Sequence, residues 1–526
     1  INMFNHLSKR FYTIGSKALK NNMRRFAMRS MSTQVTKTGH DYSIKPTGDL
    51  KQFSKAPILE NFGELQYGEI PEPLKYVRPF EQTTLSNGIR VCTEGFNSEL
   101  AGVGVFINAG SRDETLDTSG TAFLLERLLL KGTENRTGSE LVSEIENIGA
   151  TYEGKTHREI SSHTLKVLKN DVSKAVEILG DLITNPLLNE NAFEAEREVV
   201  SQIHENNINE YERTTLQASH NNAFREHMIG QPTRGDRDNL PNLTIDQVRQ
   251  FHADNYYGDN IVIVGSGNVS HQDLVDLVET HFASLPKTTS ATKNNTERPI
   301  YIPALQMMRD DEMYNSNVGV FYDAPSRSHP DFYAFELLKR IFGTYRLDKN
   351  AEHLNDVAKQ YNALHGMIGD LPDVTIHNSH YFAYSDCGIF GNYFFGNEVF
   401  TRQMNYCGMV LNTTYGHYMN DVEVFRARNK YYNELLSNEG VISSLHDIAP
   451  QIFYLGRRVP RSEIAKRIAY IDAYHMKNLC YDWFYDAEPS LTNWGPIEGI
   501  SAIGSYKYIK NHTYSTVTNA HHGLYC

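Results

Sequence analysis

The sequence has few cysteines and no long apolar run. Five cysteines are scattered over 526 residues without a CxxC pair, which disfavours both a disulfide framework and a thiolate zinc site. The apolar segment Ile261–Val269 is short, β-branched and interrupted by glycine, and no run approaches the ~18–20 residues that cross a bilayer. We therefore expect a protein of a reducing compartment, cytosol or mitochondrial matrix, that contacts membranes only peripherally.

Acidic residues are absent from residues 1–40, which contain eight Lys and Arg. Apolar residues of this arm follow a helical spacing at Phe4, Leu7, Phe11, Ile14 and Ala18. A basic, acid-free, amphipathic arm predicts a mitochondrial transit sequence, with a disordered polar arm or an uncleaved extension as alternatives. The rest of the chain carries a net charge of about −20, which disfavours nucleic-acid binding because phosphate would be repelled.

A ten-residue segment occurs twice in the chain. VGVFINAGSR (Val103–Arg112) returns as VGVFYDAPSR (Val318–Arg327), identical at seven of ten positions. Each copy predicts a strand and a turn, followed by an apolar helix at Ala122–Thr133 or Ala334–Thr344. We therefore predict an α+β fold of two duplicated α/β sandwich lobes, each a mixed sheet with helices on one face, joined by a linker.

Changes in composition suggest where the lobes begin and end. The stretch Pro286–Pro299 is polar, rich in Thr and Asn and bounded by prolines, which predicts a linker. The predicted segments are a basic arm (1–40), a polar lead-in (41–75), a first lobe (76–286), a linker (287–306), a second lobe (307–515) and a tail (516–526).

Motifs in both lobes resemble the insulinase/pitrilysin family of metallopeptidases. They narrow the resemblance to the branch that holds the β-type subunit of mitochondrial processing peptidase and the larger core protein of respiratory complex III. The resemblance covers about residues 75–505, and the chain lacks the glycine-rich run of the α-type subunit, which implies the β-like half of a pair. The motifs are RDDEM (Arg309–Met313), YSDCGIFG (Tyr384–Gly391), NYYGDNIVIVGSGNVS (Asn255–Ser270), GRRVP (Gly456–Pro460) and GPIE (Gly495–Glu498).

The resemblance implies a zinc site made of His-x-x-Glu-His on a first-lobe helix and a further Glu on a later helix. In this chain the segment GTAFLLERLLLKGT places Phe123 and Arg127 at the histidine positions and keeps Glu126, the base. Ile203 stands at the position of the later Glu. Phe and Ile have no donor atom and a guanidinium repels a dication, so we predict no zinc, no other cofactor and no catalysis.

An alternative placement of the later helix remains open. A shift by one residue would make His204 a ligand, joined by Glu126 or Glu205, in an improvised site beside Arg127. Against this alternative stand ordinary roles for the same residues. Glu126 would then be a vestigial base kept for structure, for example in an ion pair with a nearby arginine, and His204 a solvated or hydrogen-bonded helix histidine.

The resemblance also implies a role. We expect a non-catalytic core subunit of mitochondrial ubiquinol–cytochrome c oxidoreductase (complex III), an inactive metallopeptidase homologue peripheral to the inner membrane on its matrix side. The implied partners are an α-like core subunit, cytochrome b, and the cytochrome c-type and Rieske subunits, with the redox centres of the electron-transport chain in those other proteins. The alternatives are the β subunit of an active processing peptidase and a module that binds presequence peptides without cleaving them.

Overall fold

The computed structural model describes residues 70–496 except 207–209, 290, 292–296, 348–372, 411, 413–418, 438–439 and 486. The predicted basic arm, nearly all of the polar lead-in and the predicted tail lie outside the described residues. Within the described part, the chain forms two six-stranded mixed sheets and the helices that cover them.

The strand orders are β1-β2-β6-β3-β5-β4 in the first sheet and β7-β12-β8-β11-β10-β9 in the second. Five consecutive strands match, β2-β6-β3-β5-β4 with β7-β12-β8-β11-β10, and the edge strands β1 and β9 are additional. The strands of the first sheet are β1 (Phe80–Thr84), β2 (Arg90–Gly95), β3 (Leu100–Ile107), β4 (Thr151–Thr156), β5 (Ser161–Leu168) and β6 (Ile261–Gly267). Those of the second are β7 (Leu305–Arg309), β8 (Asn315–Ala324), β9 (Thr344–Arg346), β10 (Val374–Ala383), β11 (Gly388–Asn397) and β12 (Ser490–Gly495).

The strand pairing repeats between the halves. Strand β6 is parallel to β2 and antiparallel to β3, and β12 is parallel to β7 and antiparallel to β8. The two copies of the repeated segment begin within β3 and β8. The predicted duplication and α+β fold class are therefore confirmed. Strand β7 begins at Leu305, inside the predicted linker, because its ladder with β12 starts there.

The helices are distributed over both halves of the chain. In the first half they are α1 (Glu72–Lys75), α2 (Thr121–Leu129), α3 (Gly138–Asn147), α4 (Val172–Thr184), α5 (Glu190–Asn206), α6 (Tyr211–Phe224), α7 (Ile245–Asn255) and α8 (His271–His281). In the second half they are α9 (Phe332–Phe342), α10 (Thr401–Val410), α11 (Asp421–Ser437), α12 (Val441–Leu455), α13 (Arg461–Ala469) and α14 (Ala473–Phe484).

Local sequence signals set where several helices begin. Helix α3 starts with a capping box in which Thr137 accepts from the Glu140 backbone N–H while the Glu140 carboxylate accepts from that of Thr137. The Ser270 hydroxyl caps α8 by accepting from the Asp273 backbone N–H. These caps satisfy backbone donors that the first helical turn leaves without a partner.

Each sheet buries one face against helices of its own half. In the first half, the apolar stripe of α2 joins residues of β3 and α4 in one buried cluster, for example Leu125, Val105 and Leu179. In the second half, Phe335 and Leu338 of α9 pack with Phe390 of β11 in a similar cluster. Burial of these apolar side chains is the main stabilising contribution in both cores.

The opposite face of each sheet is covered by a helix from the other half. Helix α12 packs Leu445, Ile448 and Ile452 against Phe106 and Val262 of the first sheet. Helix α6 packs Ala223 and Phe224 against Phe321, Cys387 and Ile389 of the second sheet. The sequence did not predict this exchange of helices, since periodicity shows that a helix has an apolar face but not which sheet receives it.

Glycine allows α6 to lie close to the second sheet. A Cβ atom at Gly319, in the centre of β8, would lie 2.6 Å from the Ser219 Oγ of α6. A side chain at this position would force the Ser219 hydroxyl to move. The predicted lobe boundaries at 76–286 and 307–515 stay a prediction, and the exchanged helices show that segments from both ranges contribute to each core.

A buried ion cluster also connects the halves. The Arg112 guanidinium at the end of the first repeat binds the Asp386 carboxylate in the β10–β11 turn (2.6 Å) and the Glu159 carboxylate in the β4–β5 turn (2.7 Å). Glu159 in turn accepts hydrogen bonds from the Ser385 hydroxyl (2.5 Å) and backbone N–H (3.0 Å). The two hairpin turns are thus held together across the interface between the sheets.

Candidate metal centre

The helix predicted to carry the site, α2, begins with an unusual cap. The buried Glu114 carboxylate accepts hydrogen bonds from the backbone N–H groups of Gly120 (3.0 Å) and Ala122 (2.7 Å). Gly120 has a φ of +104°, a conformation that favours glycine. Burial raises the pKa of Glu114 to about 8, although the two N–H donors oppose the shift. The start of α2 is therefore fixed by a carboxyl group from the preceding loop.

The predicted site residues of α2 share one face. Leu124, Leu125, Leu128 and Leu129 are buried in the core, whereas Phe123, Glu126 and Arg127 are only partly buried. Their spacing of three and four residues places them on adjacent turns of the same side. The helical frame expected from the sequence is present, with side chains that differ from those of a metal site.

Arg127 forms an ion pair at one of the predicted ligand positions. Its Nε donates to Glu196 Oε2 of α5 at 2.5 Å, and Lys131 Nζ lies 2.6 Å from Glu196 Oε1. The Glu196 side chain is 4% exposed. Burial alone would raise the pKa of Glu196, but the bonds from Lys131 and Arg127 outweigh it and the pKa is lowered. We call these three residues the α2–α5 ion cluster.

Glu126, the predicted vestigial base, is held against the sheet. Its Oε2 accepts a hydrogen bond from the Thr156 hydroxyl of β4 at 2.6 Å. Burial raises the pKa of Glu126, while Thr156 and the nearby charges of Arg127 and Arg234 oppose the shift. The structure thus gives Glu126 a hydrogen bond to a strand residue and two cationic neighbours, and its role as a vestigial base stays a prediction.

His204 and Glu205 face the loop before α7. The His204 Nε2–H donates to the Arg234 backbone carbonyl at 3.3 Å, and burial is the main reason why the pKa of His204 is lowered. The Glu205 carboxylate, 61% exposed, lies 3.6 Å from the Arg237 guanidinium. This hydrogen bond and this ion pair give both side chains loop partners, and neither partner belongs to α2.

Phe123 has two guanidinium groups near its ring. The Arg127 Cζ lies 6.0 Å and the Arg234 Cζ 5.8 Å from the ring centroid, within reach of cation–π attraction. Arg234 was not predicted from the sequence, since it lies on a loop far along the chain. It places a further positive charge beside the predicted ligand positions.

The residues present do not fit a zinc ion. Catalytic zinc takes three protein ligands, usually from His, Glu, Asp or Cys, and positions 123, 127 and 203 supply an aromatic ring, a guanidinium and an alkyl group. Among the described residues, no group of three or more His, Cys, Asp or Glu side chains is placed to hold a metal ion. The absence of zinc from the protein itself stays a prediction.

The sequence also carries a signal for the partner of Arg127, Glu196. Phe193 and Val200 are buried residues on one face of α5, and Glu196 lies between them on that same face. A carboxylate on an apolar stripe requires a cationic partner. The pattern therefore predicts an ion pair between Glu196 and a residue outside α5, but it does not identify Arg127 and Lys131 as the partners.

Two family models match the chain. The first, described as insulinase (peptidase family M16), matches residues 90–237, which include α2, α5 and the α2–α5 ion cluster. The second, described as the peptidase M16 inactive domain, matches residues 242–406. The boundary between the two matches falls just before α7.

Relatives of two kinds resemble the chain. The Bos taurus cytochrome b-c1 complex subunit 1 is 28% identical over 436 residues, covering 81% of this chain and 88% of that protein. The Neurospora crassa mitochondrial-processing peptidase subunit beta is 31% identical over 427 residues, covering 80% and 88%. The resemblance inferred from the motifs is thus confirmed for both branches.

A solved structure has the same fold. A chain of the complex III2 structure from Candida albicans, with Inz-5 bound, matches with a TM-score of 0.72 at 20% identity, covering 82% of this chain and 99% of that chain. At this identity the match supports the arrangement of sheets and helices and nothing about chemistry.

Proposed function

We propose a function from the premise that the chain belongs to the insulinase family (peptidase family M16). The protein is a non-catalytic core subunit of the mitochondrial ubiquinol–cytochrome c oxidoreductase, complex III. It pairs with an α-like core subunit and lies peripherally on the matrix side of the inner membrane, where it supports the cytochrome b, cytochrome c-type and Rieske subunits.

The α2–α5 ion cluster carries this proposal. A peptidase of this kind needs a metal to lower the pKa of bound water from ~15.7 to ~7, so that a carboxylate base can remove its proton. Here a guanidinium and an ammonium hold the buried Glu196 carboxylate at 2.5 and 2.6 Å. Two cations at this point oppose the binding of a dication, so Glu126 has no activated water to deprotonate.

Other observations support a scaffold role. The relatives named above include a complex III core subunit that is matched along most of its length. The part of the chain that the structure describes contains no helix long and apolar enough to span a membrane. Burial raises the pKa of the Cys92, Cys407 and Cys480 thiols to about 12, which leaves these groups protonated and unsuited to thiolate ligation.

The alternative function is that of an active processing peptidase, since relatives of that name have a similar sequence identity to this chain. It would require zinc in a site whose three predicted ligand positions lack suitable donors. A module that binds basic presequences without cleaving them is compatible with the scaffold role. Its binding would weaken with salt and give no product.

Purification of the chain from its native mitochondria, with partners identified and zinc counted, tests the proposal. We expect the chain to co-purify with b- and c-type haem and to contain no zinc. A variant with Phe123→His, Arg127→His and Ile203→Glu, treated in parallel, is the control for zinc retention in this pocket. A heterodimer free of haem that retains about one zinc per wild-type chain and cleaves presequence peptides would overturn the proposal.

A further inference from the structure

A cavity lies between the lobes, away from the α2–α5 ion cluster. It has a volume of about 520 Å³ and is bounded by α6 on one side and by β10 and β11 on the other. This volume is in the range of about 300–1,000 Å³ that is usual for sites of small molecules. Its walls are largely apolar and aromatic, formed by Tyr211, Leu216, Ile376, Phe382, Tyr393 and Phe395.

Arg158 lines this cavity and is itself 7% exposed. Its Nε donates to the Ile229 backbone carbonyl (2.7 Å) and its Nη2 to the Gln217 side-chain oxygen (2.6 Å), both neutral acceptors. Within the described ranges, Arg158 has no ion pair with a carboxylate. A charge this deeply buried is costly unless an opposite charge compensates it.

The carboxylate of the residue that follows Arg158 in the chain pairs with another arginine. Glu159 is the next residue in the chain, but its oxygens bind Arg112 and Ser385 in the ion cluster between the two sheets described above. Arg158 also has a side-chain hydrogen bond with Tyr384, a third neutral partner. Since arginine has five N–H donors in a planar fork, three such partners leave donors for a group that enters the cavity.

The carboxylates that line the same cavity already have partners. Glu212 accepts hydrogen bonds from His380 (2.9 Å) and Asn378 (2.7 Å), and Glu210 lies 3.3 Å from the Arg213 guanidinium. Glu210 is thus in an ion pair, and the Oε1 atom of Glu212 is occupied by two hydrogen bonds. Of the two arginines that line the cavity, Arg158 and Arg213, Arg158 is the one without an ion pair to a described carboxylate.

We propose that this cavity binds a small amphipathic monocarboxylate, whose carboxylate pairs with Arg158 while its apolar or aromatic body lies against the walls. A planar guanidinium suits a carboxylate because two parallel N–H donors match its two oxygens. The aromatic walls supply apolar contact and offset stacking for the body of the ligand. The site is independent of the proposed core-subunit role, because no residue of the α2–α5 ion cluster lines it.

Binding of 4-phenylbutyrate to the purified full-length chain, measured by calorimetry, tests this inference. The neutral amide, 4-phenylbutyramide, has nearly the same shape and is the control ligand. We expect the amide to bind about ten- to a hundredfold more weakly, since a charged hydrogen-bonded pair is lost. Equal affinity for the acid and the amide would overturn the proposal.

Arg158→Gln and Leu216→Trp locate the site, with Arg249→Gln as the control. Arg158→Gln removes the charge and should weaken phenylbutyrate binding about tenfold or more, whereas Arg249→Gln, which alters an exposed arginine of α7 paired with Asp246 outside the cavity, should change it less than about twofold. Leu216→Trp keeps Arg158 but fills the cavity, so it should abolish binding even if Arg158→Gln fails to fold. Wild-type affinity in the Leu216→Trp variant, or binding of the acid to the folded wild type only at millimolar concentration, would refute the site.

Discussion

The two lobes share the order of five strands and an ion pair between two helices. They differ in the polarity of the helix that follows the repeated strand, α2 in the first lobe and α9 in the second. In the first lobe, Arg127 of α2 binds Glu196 of α5 through its Nε at 2.5 Å. In the second, Arg340 of α9 binds Glu434 of α11 through its Nε at 2.7 Å. Both pairs join the helix that follows the repeated strand to a long helix packed beside it.

The difference lies in the rest of each helix. In the repeat alignment, Glu126 of α2 corresponds to Leu338 of α9, which is completely buried in apolar surroundings. Phe123 is only partly buried, whereas its counterpart Phe335 is fully buried. The second lobe thus buries the positions that correspond to Phe123 and Glu126, while Arg340 on the same helix keeps its ion pair with Glu434. The first lobe keeps a polar face and occupies it with the α2–α5 ion cluster and the Glu126–Thr156 hydrogen bond.

The comparison bears on the proposal that the first lobe has lost metal ligands while it kept its fold. Replacement of donor side chains by Phe, Arg and Ile would leave a buried carboxylate at Glu196 if no cation reached it. Arg127 and Lys131 supply two such cations, so the same substitution that opposes a metal also compensates Glu196. Both lobes thus have an ion pair between these two helices, while their remaining polar groups differ.

Phe224→Ala is the change that should do most to test whether the lobes are independent. Phe224 belongs to the first half of the chain but is 2% exposed in the cluster that covers the second sheet. We expect a loss of about 3–5 kcal/mol in the free energy of unfolding, because a large cavity is created. Amide hydrogen exchange should accelerate in β8 and β11, in the lobe that the residue does not belong to by sequence.

The control for this variant is Tyr474→Ala, which truncates an aromatic side chain that is 67% exposed on α14. It should change the free energy of unfolding by less than about 0.5 kcal/mol. Faster exchange confined to the first sheet in Phe224→Ala would show that the exchanged helices do not couple the lobes.

The raised pKa of Glu114 predicts that the free energy of unfolding depends on pH, through a group in the first lobe. Burial raises its pKa in the folded state to about 8 from an ordinary value of 4.5, so between these values the folded protein binds more protons than the unfolded chain. Stability should therefore be highest below the unfolded pKa and fall as the pH rises toward 8, by at most about 1.4 kcal/mol per pH unit from this group.

His329 of the second lobe lies shortly before α9, as Glu114 of the first lobe lies before α2. Its Nδ1 accepts from the Asp331 backbone N–H at 3.1 Å, near the start of α9. The Glu114→Gln variant should flatten the profile of unfolding free energy between pH 5 and 8, while His329→Gln should leave this decline in place. An unchanged slope in Glu114→Gln would exclude Glu114 as its source.

The sequence predicted those features that local patterns encode. The two copies of one segment predicted the duplication, and the spacing of Phe123, Glu126 and Arg127 predicted that these residues share one face of a helix. The partners of these residues were not predicted, since Glu196, Thr156 and Arg234 are brought to α2 by the packing of distant segments. The exchange of α6 and α12 was missed for the same reason.

Glu196→Gln tests the ion cluster of the first lobe. It removes the buried charge that two cations share, and we expect a loss of about 1–3 kcal/mol in the free energy of unfolding, limited by the ability of Arg127 and Lys131 to turn toward solvent. Glu205→Gln on the same helix is the control, because its carboxylate is 61% exposed and should contribute little. Equal effects of the two variants would show that burial of Glu196 is not compensated as described.

Glu434→Gln makes the same change in the second lobe and should have a smaller effect. In this pair the arginine is the more buried partner, since the Glu434 carboxylate is 37% exposed and the Arg340 side chain 14%. After the change, Arg340 keeps the Glu336 carboxylate at 2.6 Å and the Tyr431 ring at 3.5 Å from its Cζ, so its charge stays compensated. We expect a loss of about 0.5–1 kcal/mol by denaturant unfolding. A cost as large as that of Glu196→Gln would mean that the two ion pairs are energetically equivalent and that the polar face of the first lobe has no energetic consequence of its own.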